Sequence, residues 1–346
     1  MRAELRDEKF MRAALDEAKR GVGLTSPNPA VGAVLVVGNK IVAAGHHRRA
    51  GEAHAEVECL RGLGRVTPKD ATLYVTLEPC STTGRTPPCT RALIDSGIGT
   101  VVIGAVDVNP KHSGRGIDLL RRAGITVRSG VLANECTAIN EAFNKWIQTG
   151  RPLVIAKCGM TLDGRLTRRR EEERWITSDR ARRHANRFRS QVDAILIGAE
   201  TLRTDNPRLT IRGIVGARQP WRVILSRSGR LPAKAHVFTD RFAARTLVFR
   251  RTTLATVLRE LGKKEITSVM IEGGGDILGQ ALDARLIDKI HIYVAPLFSG
   301  GPVIAFSGKG FSSSERAQRV SHPSYEKFGD DIFIAGDADY LLPNIK

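Results

Sequence analysis

A histidine, a glutamate two residues on and two widely spaced cysteines constrain this chain more than any other feature. They stand as His54-Ala55-Glu56, Pro79-Cys80 and Pro88-Cys89. Zinc takes imidazole nitrogen and thiolate sulfur, and a catalytic zinc uses three protein ligands and keeps a fourth position open. His54, Cys80 and Cys89 supply three, which leaves Glu56 free to carry protons. For these groups to meet, the fold must bring two helix starts and one strand exit to a single point. The apolar spacing predicts a helix near 54–63, a strand at 71–77 ending just before Cys80, and a helix at 89–97 opening on Cys89. Helix N-termini lower thiol pKa values, and zinc needs thiolates.

The same alternation runs along the whole chain. A helix is expected over 7–20, a hairpin of 31–37 and 41–44 around Gly38-Asn39-Lys40, strands at 100–105 and 125–130, and helices at 115–123 and 134–148. Gly150-Arg151-Pro152 then punctuates the sequence, which divides it into domains 1–150 and 151–346. Strands are expected in the second part at 153–159, 193–198, 222–226, 246–249, 267–271 and 287–296. Helices are expected from a Thr177 or Ser178 cap to about 190, at 253–261 and at 276–283. Strands alternating with helices imply layered α/β domains.

Composition narrows the class. At 346 residues the chain exceeds one ordinary core, and 42% hydrophobic with 26% charged residues fits a folded globular protein. No apolar run is long enough to cross a bilayer, and the charged start MRAELRDEKF is unlike a signal peptide, so a cytoplasmic location is expected. Five cysteines are too few and odd for a disulfide framework; Cys59, Cys136 and Cys158 read as small buried residues. The net charge of +18 suggests nucleic acid or phosphorylated small molecules. Aromatics are scarce at 5% and do not interleave with the basic residues as in single-strand binders, which favours a phosphorylated small ligand.

A structural zinc site is normally closed by four protein ligands, and only His46 and His47 stand near enough to add one. Three ligands with a free glutamate instead match hydrolytic deamination, in which zinc-activated water attacks an amidine-like ring carbon and the glutamate shuttles protons. The eight residues between the cysteines carry more. Leu77-Glu78-Pro79-Cys80-Ser81-Thr82-Thr83-Gly84-Arg85-Thr86-Pro87-Pro88-Cys89 closely resembles the loop of the bifunctional riboflavin-biosynthesis deaminase–reductases, the RibD family. Ser26-Pro27-Asn28-Pro29, Val31-Gly32-Ala33-Val34, His47 through Glu56, Asn109-Pro110 and Gly114-Arg115-Gly116 agree with it. The resemblance implies a cytidine-deaminase-like α/β/α layered domain. It further implies a diaminopyrimidinone substrate bearing a ribosylamino 5′-phosphate, losing its C2 amine, with Asn28, His47 and Arg85 as substrate contacts. Thr82 departs from the family's usual histidine.

The resemblance continues through Lys157, Thr161-Leu162-Asp163-Gly164-Arg165, Trp175-Ile176-Thr177 and Asp193 to Gly198. Thr201, Asp205, Pro207, Leu209 to Arg212 and Glu272-Gly273-Gly274-Gly275 extend it. It implies a dihydrofolate-reductase-like α/β domain that uses NADPH to reduce the ribosyl chain to ribityl, and a homodimer or homotetramer. The implied substrate contacts are Lys157, Thr177, Arg189, Asp205, Leu209, Arg212 and Glu272. The implied cofactor contacts are Gly159, Trp175, Ser226, Arg227 and Gly273 to Gly275. By residue chemistry alone, the glycines suit a phosphate cradle or a tight turn, and Lys157, Arg189 and Arg212 suit phosphate or plain surface. Asp205 and Glu272 suit ribose hydroxyls, and Trp175 suits either a nicotinamide face or the core. Asn206 replaces the second Asp of Asp-Asp-Pro, Glu171 to Arg174 replace a Gly-x-Ser-x stretch, and Ser226-Arg227 replaces an Asp with Ser or Thr. Two other readings stand beside the bifunctional enzyme. One is a deaminase on a catalytically weak reductase-like scaffold; the other is a nucleic-acid base deaminase.

Overall fold

The computed structural model describes residues 2–64, 66–83, 87–110, 112–166 and 175–339, with side chains from residue 4. It divides into two compact units, Met1–Gly150 and Arg151–Lys346.

The first unit runs α1 (Arg2–Lys19), β1 (Gly32–Val37), β2 (Lys40–His46), α2 (Ala55–Leu63), β3 (Thr72–Leu77), α3 (Cys89–Asp95), β4 (Thr100–Ala105), α4 (Arg115–Arg122), β5 (Thr126–Ser129), α5 (Ala133–Ala138) and α6 (Glu141–Thr149). The strands lie in the order β2-β1-β3-β4-β5. β1 is antiparallel to β2 and β3, whereas β3, β4 and β5 are parallel. The apolar runs of β1, β3 and β4 are buried along their length, as central strands covered on both faces should be. Phe10, Met11, Ala14 and Leu15 of α1 are buried within the same core. The continuous helix expected over 134–148 is instead two helices, broken at Ile139-Asn140. The buried Asn140 side chain accepts from the Ala30 amide at 2.7 Å and donates to the Ala30 carbonyl at 2.9 Å. The break thus anchors the segment that carries Asn28.

The second unit runs β6 (Leu153–Thr161), α7 (Asp179–Arg189), β7 (Ala194–Gly198), α8 (Ala199–Asp205), β8 (Trp221–Ser226), α9 (His236–Thr239), β9 (Thr246–Arg250), α10 (Leu254–Lys263), β10 (Ser268–Ile271), α11 (Gly275–Asp283), β11 (Lys289–Ala295), β12 (Arg319–Phe328) and β13 (Asp331–Asp339). Its eight strands follow the order β12-β13-β11-β6-β10-β7-β8-β9. From β11 to β9 every neighbour is parallel, and the β12–β13 hairpin adds an antiparallel edge. Open parallel sheets of this kind bind ligands beyond the carboxyl ends of their strands.

Short helices α8 and α9 and the closing hairpin were not evident from the sequence. Nearly all of β12 is exposed, and Pro323 with a register shift between Ser321 and Ser324 interrupts it, so no alternating pattern announces it. The hairpin nevertheless holds the start of α7. Asp331 accepts from the Ser178 amide at 2.7 Å, and Ser178 Oγ donates to the Phe328 carbonyl at 3.2 Å. Arg222, buried in β8, likewise donates to Asp240, Val237 and the Arg208 carbonyl, tethering the stretch that leads to Leu209 and Arg212.

Candidate active sites

In the first unit, β3 delivers Cys80 just beyond its carboxyl end, while α2 and α3 begin at His54 and Cys89. The ligand atoms of these three residues all lie within 4.8 Å of one another, and they form the one such cluster found among the described residues. His54 Nδ1 lies 3.1 Å from Cys89 Sγ and 3.6 Å from Cys80 Sγ, and the Cys89 amide donates to Cys80 Sγ at 3.2 Å. Tetrahedral zinc with ordinary Zn–N and Zn–S bonds places such nitrogen and sulfur atoms about 3.6 Å apart. The donor set therefore fits zinc, with Nδ1 as the imidazole ligand.

The electrostatics point the same way. The Cys89 hydrogen bond draws the Cys80 thiol down to about 4, with His54 assisting against burial. Cys89 is pushed up, first by its bond to Cys80 and then by burial. Two adjacent thiols, Cys89 buried and Cys80 partly buried, do not both ionise without a compensating cation, and a divalent ion at this point would supply one. His54 is raised chiefly by its hydrogen bond to Cys80. Glu56 is 3% exposed, and burial pushes its carboxyl up, against the pull of His54. A carboxyl raised towards neutrality is suited to taking and giving a proton.

His47 shows how the segment around His54 is held. Its Nδ1 lies 3.0 Å from the Ala53 carbonyl, which can only accept, so Nδ1 carries the proton. Nε2 then accepts from Asn28 Nδ2 at 3.2 Å, which leaves the Asn28 carboxamide oxygen as an acceptor. The His47 ring meets His54 edge-on with centroids 5.1 Å apart, and burial lowers its pKa, so it stays neutral near pH 7. The structure therefore gathers Asn28, His47, His54, Glu56, Cys80 and Cys89. Thr82 is exposed. Arg85 lies outside the described residues, as do Glu171 to Arg174. His46 instead pairs with Glu17 at 3.0 Å.

One residue of this centre was passed over in the sequence, although it stands inside the quoted loop. Glu78 is 4% exposed, and its carboxylate accepts from four backbone amides: Gly116 at 2.9 Å, Gly114 at 3.0 Å, Asp107 at 3.2 Å and Ile117 at 3.3 Å.

In the second unit Ser226 ends β8 and Glu272 to Gly275 follow the carboxyl end of β10, whereas Lys157 lies within β6, Arg189 ends α7 and Asp205 ends α8. Glu272 follows β10, where Arg189 Nε and Nη2 grip its two oxygens at 2.7 Å each. Arg189 Nη1 also donates to the Thr210 carbonyl at 3.2 Å. Burial alone would raise the Glu272 carboxyl, but Arg189, Lys157 and Arg212 outweigh it and hold it at about 2. The Lys157 ammonium also lies 5.9 Å from the Tyr293 ring centre. Leu209 is buried, at φ 52°. Asn206 caps α8 at φ 41°, a conformation asparagine tolerates, and its side-chain oxygen accepts from the His236 amide at 2.8 Å.

The glycine segment turns directly into α11. The Gly274 amide donates to Thr201 Oγ1 at 2.9 Å, and a Cβ on Gly275 would stand 1.9 Å from the Ile304 carbonyl oxygen. A Cβ on Gly159 would stand 3.0 Å from Thr177 Cγ2. Ser226 is buried, with Oγ accepting from the Gly229 amide at 3.0 Å, while Arg227 beside it is 89% exposed and 3.8 Å from Asp276. Trp175 is half-exposed, which excludes the core reading, and the Arg182 guanidinium covers one face at 4.7 Å. Together with Ile176, Thr177, Pro296 and Asp331, it lines a cavity of about 770 Å³. A side-chain-free turn at a helix start, an exposed guanidinium and a half-exposed indole fit a phosphorylated dinucleotide such as NADPH.

Comparison with known proteins matches both units. The family described as "Cytidine and deoxycytidylate deaminase zinc-binding region" covers residues 5–105, and "RibD C-terminal domain" covers 152–334. The riboflavin biosynthesis protein RibD of Synechocystis is 39% identical, with 98% of this chain and 97% of that protein covered. That of Aquifex aeolicus is 38% identical over 95% and 97%. Acinetobacter baumannii RibD superposes with a TM-score of 0.90 at 33% identity, covering 97% of this chain and 99% of that one. A Thermotoga maritima diaminohydroxyphosphoribosylaminopyrimidine deaminase/5-amino-6-(5-phosphoribosylamino)uracil reductase gives 0.88 at 34% identity, over 97% and 100%. The chain thus belongs to the RibD family, as a bifunctional riboflavin-biosynthesis enzyme that joins a metal-binding deaminase domain to a dihydrofolate-reductase-like reductase domain.

Proposed function

We propose that the first domain deaminates 2,5-diamino-6-(5-phosphoribosylamino)pyrimidin-4-one at C2, and that the second reduces the ribosylamino group of the product to ribitylamino. The observation that carries the first step is a buried, protonatable Glu56 beside a three-ligand His54, Cys80 and Cys89 set. Zinc bound there would supply the Lewis acidity that brings water close to ionisation at neutral pH. Glu56 would take a proton from the attacking water as the water oxygen adds to C2 and would hand it to the departing nitrogen, so that water enters and ammonia leaves. The carboxamide oxygen of Asn28, its identity fixed by His47, would accept from the polar edge of the ring.

For the second step NADPH would supply a hydride to the sugar C1′. The amides of Gly273 and Gly275 at the start of α11 suit its pyrophosphate, Arg227 suits the 2′-phosphate and Trp175 suits the nicotinamide face. Glu272, kept ionised by Arg189, accepts from sugar hydroxyls, while Lys157 and Arg212 offer charge to the 5′-phosphate. Arg189 acts through Glu272, because its fork is already closed on that carboxylate. A coupled assay tests the pair of steps. Purified protein should release ammonia from the diaminopyrimidinone and then consume NADPH in proportion. Ammonia release with no NADPH consumption would leave the second domain a scaffold.

A further inference from the structure

We propose that Glu78 is a positioning residue of the deaminase centre, whose carboxylate locks the metal-bearing loop onto the start of α4 and the exit of β4. The proposal rests on the zinc-deaminase reading of the first domain. Oε1 accepts from the Gly116 and Ile117 amides, and Oε2 accepts from the Asp107 and Gly114 amides. The Glu78 amide itself donates to the Ala105 carbonyl at 2.9 Å.

A helix normally draws its N-terminal cap from the residue just before it. The residue before α4 is Gly114, which has no side chain and sits at φ 77°. The missing acceptor arrives instead from the loop that carries Cys80, 36 to 39 positions away in sequence. A carboxylate at a helix start also meets the favourable end of the helix dipole. The joint has no slack, because a Cβ on Gly116 would stand 2.1 Å from the Pro79 carbonyl oxygen. Pro79 is the sole residue between Glu78 and Cys80, and its ring limits the backbone there. Movement of the Glu78 carboxylate therefore passes directly to Cys80, whose sulfur must stay aligned with His54 Nδ1 and Cys89.

Glu78→Gln tests this. An amide keeps the shape but turns one acceptor oxygen into a donor facing backbone donors, so one side of the joint opens. Groups that orient metal ligands from behind change metal affinity by about 10- to 100-fold. The full-length variant, loaded with zinc, should therefore release it to a chromophoric chelator about 10- to 100-fold faster than the parent chain. Its cobalt-substituted form should show shifted ligand-field bands. A folded Glu78→Gln chain with parental release rate and cobalt spectrum, and only a lower melting temperature, would make Glu78 a purely structural cap and overturn the proposal. Gly116→Ala presses on the same joint from the helix side. Should Glu78→Gln fail to fold, a shifted cobalt spectrum in Gly116→Ala supports the proposal and a parental one overturns it. A parent chain with no cobalt bands would overturn the deaminase reading and this proposal with it, and is told apart by the parent alone.

Discussion

Replacing Arg189 by methionine should weaken the second domain by an amount that depends on pH. Arg189 is 18% exposed and Glu272 5%, so their paired hydrogen bonds lie largely out of water. The Glu272 carboxyl is held at about 2 against an ordinary 4.5, a difference of roughly 2.5 units, or about 3 kcal/mol. Because the folded value is depressed, that contribution is complete above pH 4.5 and is lost as pH falls towards 2. Methionine removes the nearest cation and leaves the carboxylate buried, at a cost of about 3–5 kcal/mol at pH 7. With only Lys157 and Arg212 left to oppose burial, the Glu272 carboxyl titrates higher in the variant than in the parent chain, so acid neutralises it earlier and relieves part of the penalty. Urea titrations followed by tryptophan fluorescence at pH 7, 5 and 3.5 should show the gap between the two proteins narrowing to roughly 1 kcal/mol at the acid end. Adding Glu272→Gln should recover most of the loss at pH 7. A gap below about 1 kcal/mol at pH 7, or one that does not change with pH, would refute the argument.

Cys80→Ser should abolish stoichiometric zinc while leaving the second domain's unfolding transition in place, because a serine hydroxyl does not ionise as the thiol does; elemental analysis of dialysed protein checks this. Gly275→Ala forces a methyl group against the Ile304 carbonyl, and overpacking of that kind costs about 1–3 kcal/mol. NADPH affinity measured by fluorescence quenching should fall about 5- to 100-fold with zinc content unchanged, and parental affinity would contradict the glycine cradle.

Much of this was legible because the chemistry sits where the local pattern is strongest. Buried parallel strands such as 194–198 and 269–271 read as unbroken apolar runs, and helix starts at His54 and Cys89 follow from the periodicity around them. What escaped depended on contacts distant in sequence. The break at Asn140 is caused by Ala30, more than a hundred residues earlier. The hairpin of β12 and β13 has a mostly exposed outer strand and so carries no hydrophobic alternation. Glu78 was visible as a letter of the loop, but its four amide partners lie at 107 to 117 and nothing local announces them. Arg189 was read as a phosphate partner by its chemistry, whereas its geometry is set by Glu272, 83 positions away.

The central claim is that Glu56 moves the protons of a zinc-dependent deamination at the His54, Cys80 and Cys89 centre. Glu56→Gln preserves shape and removes the proton carrier. Zinc content and ammonia release, measured on the same preparation, test it most directly. The account predicts a full complement of zinc with ammonia release lowered by about 100-fold or more. Parental ammonia release from that zinc-loaded variant would contradict it.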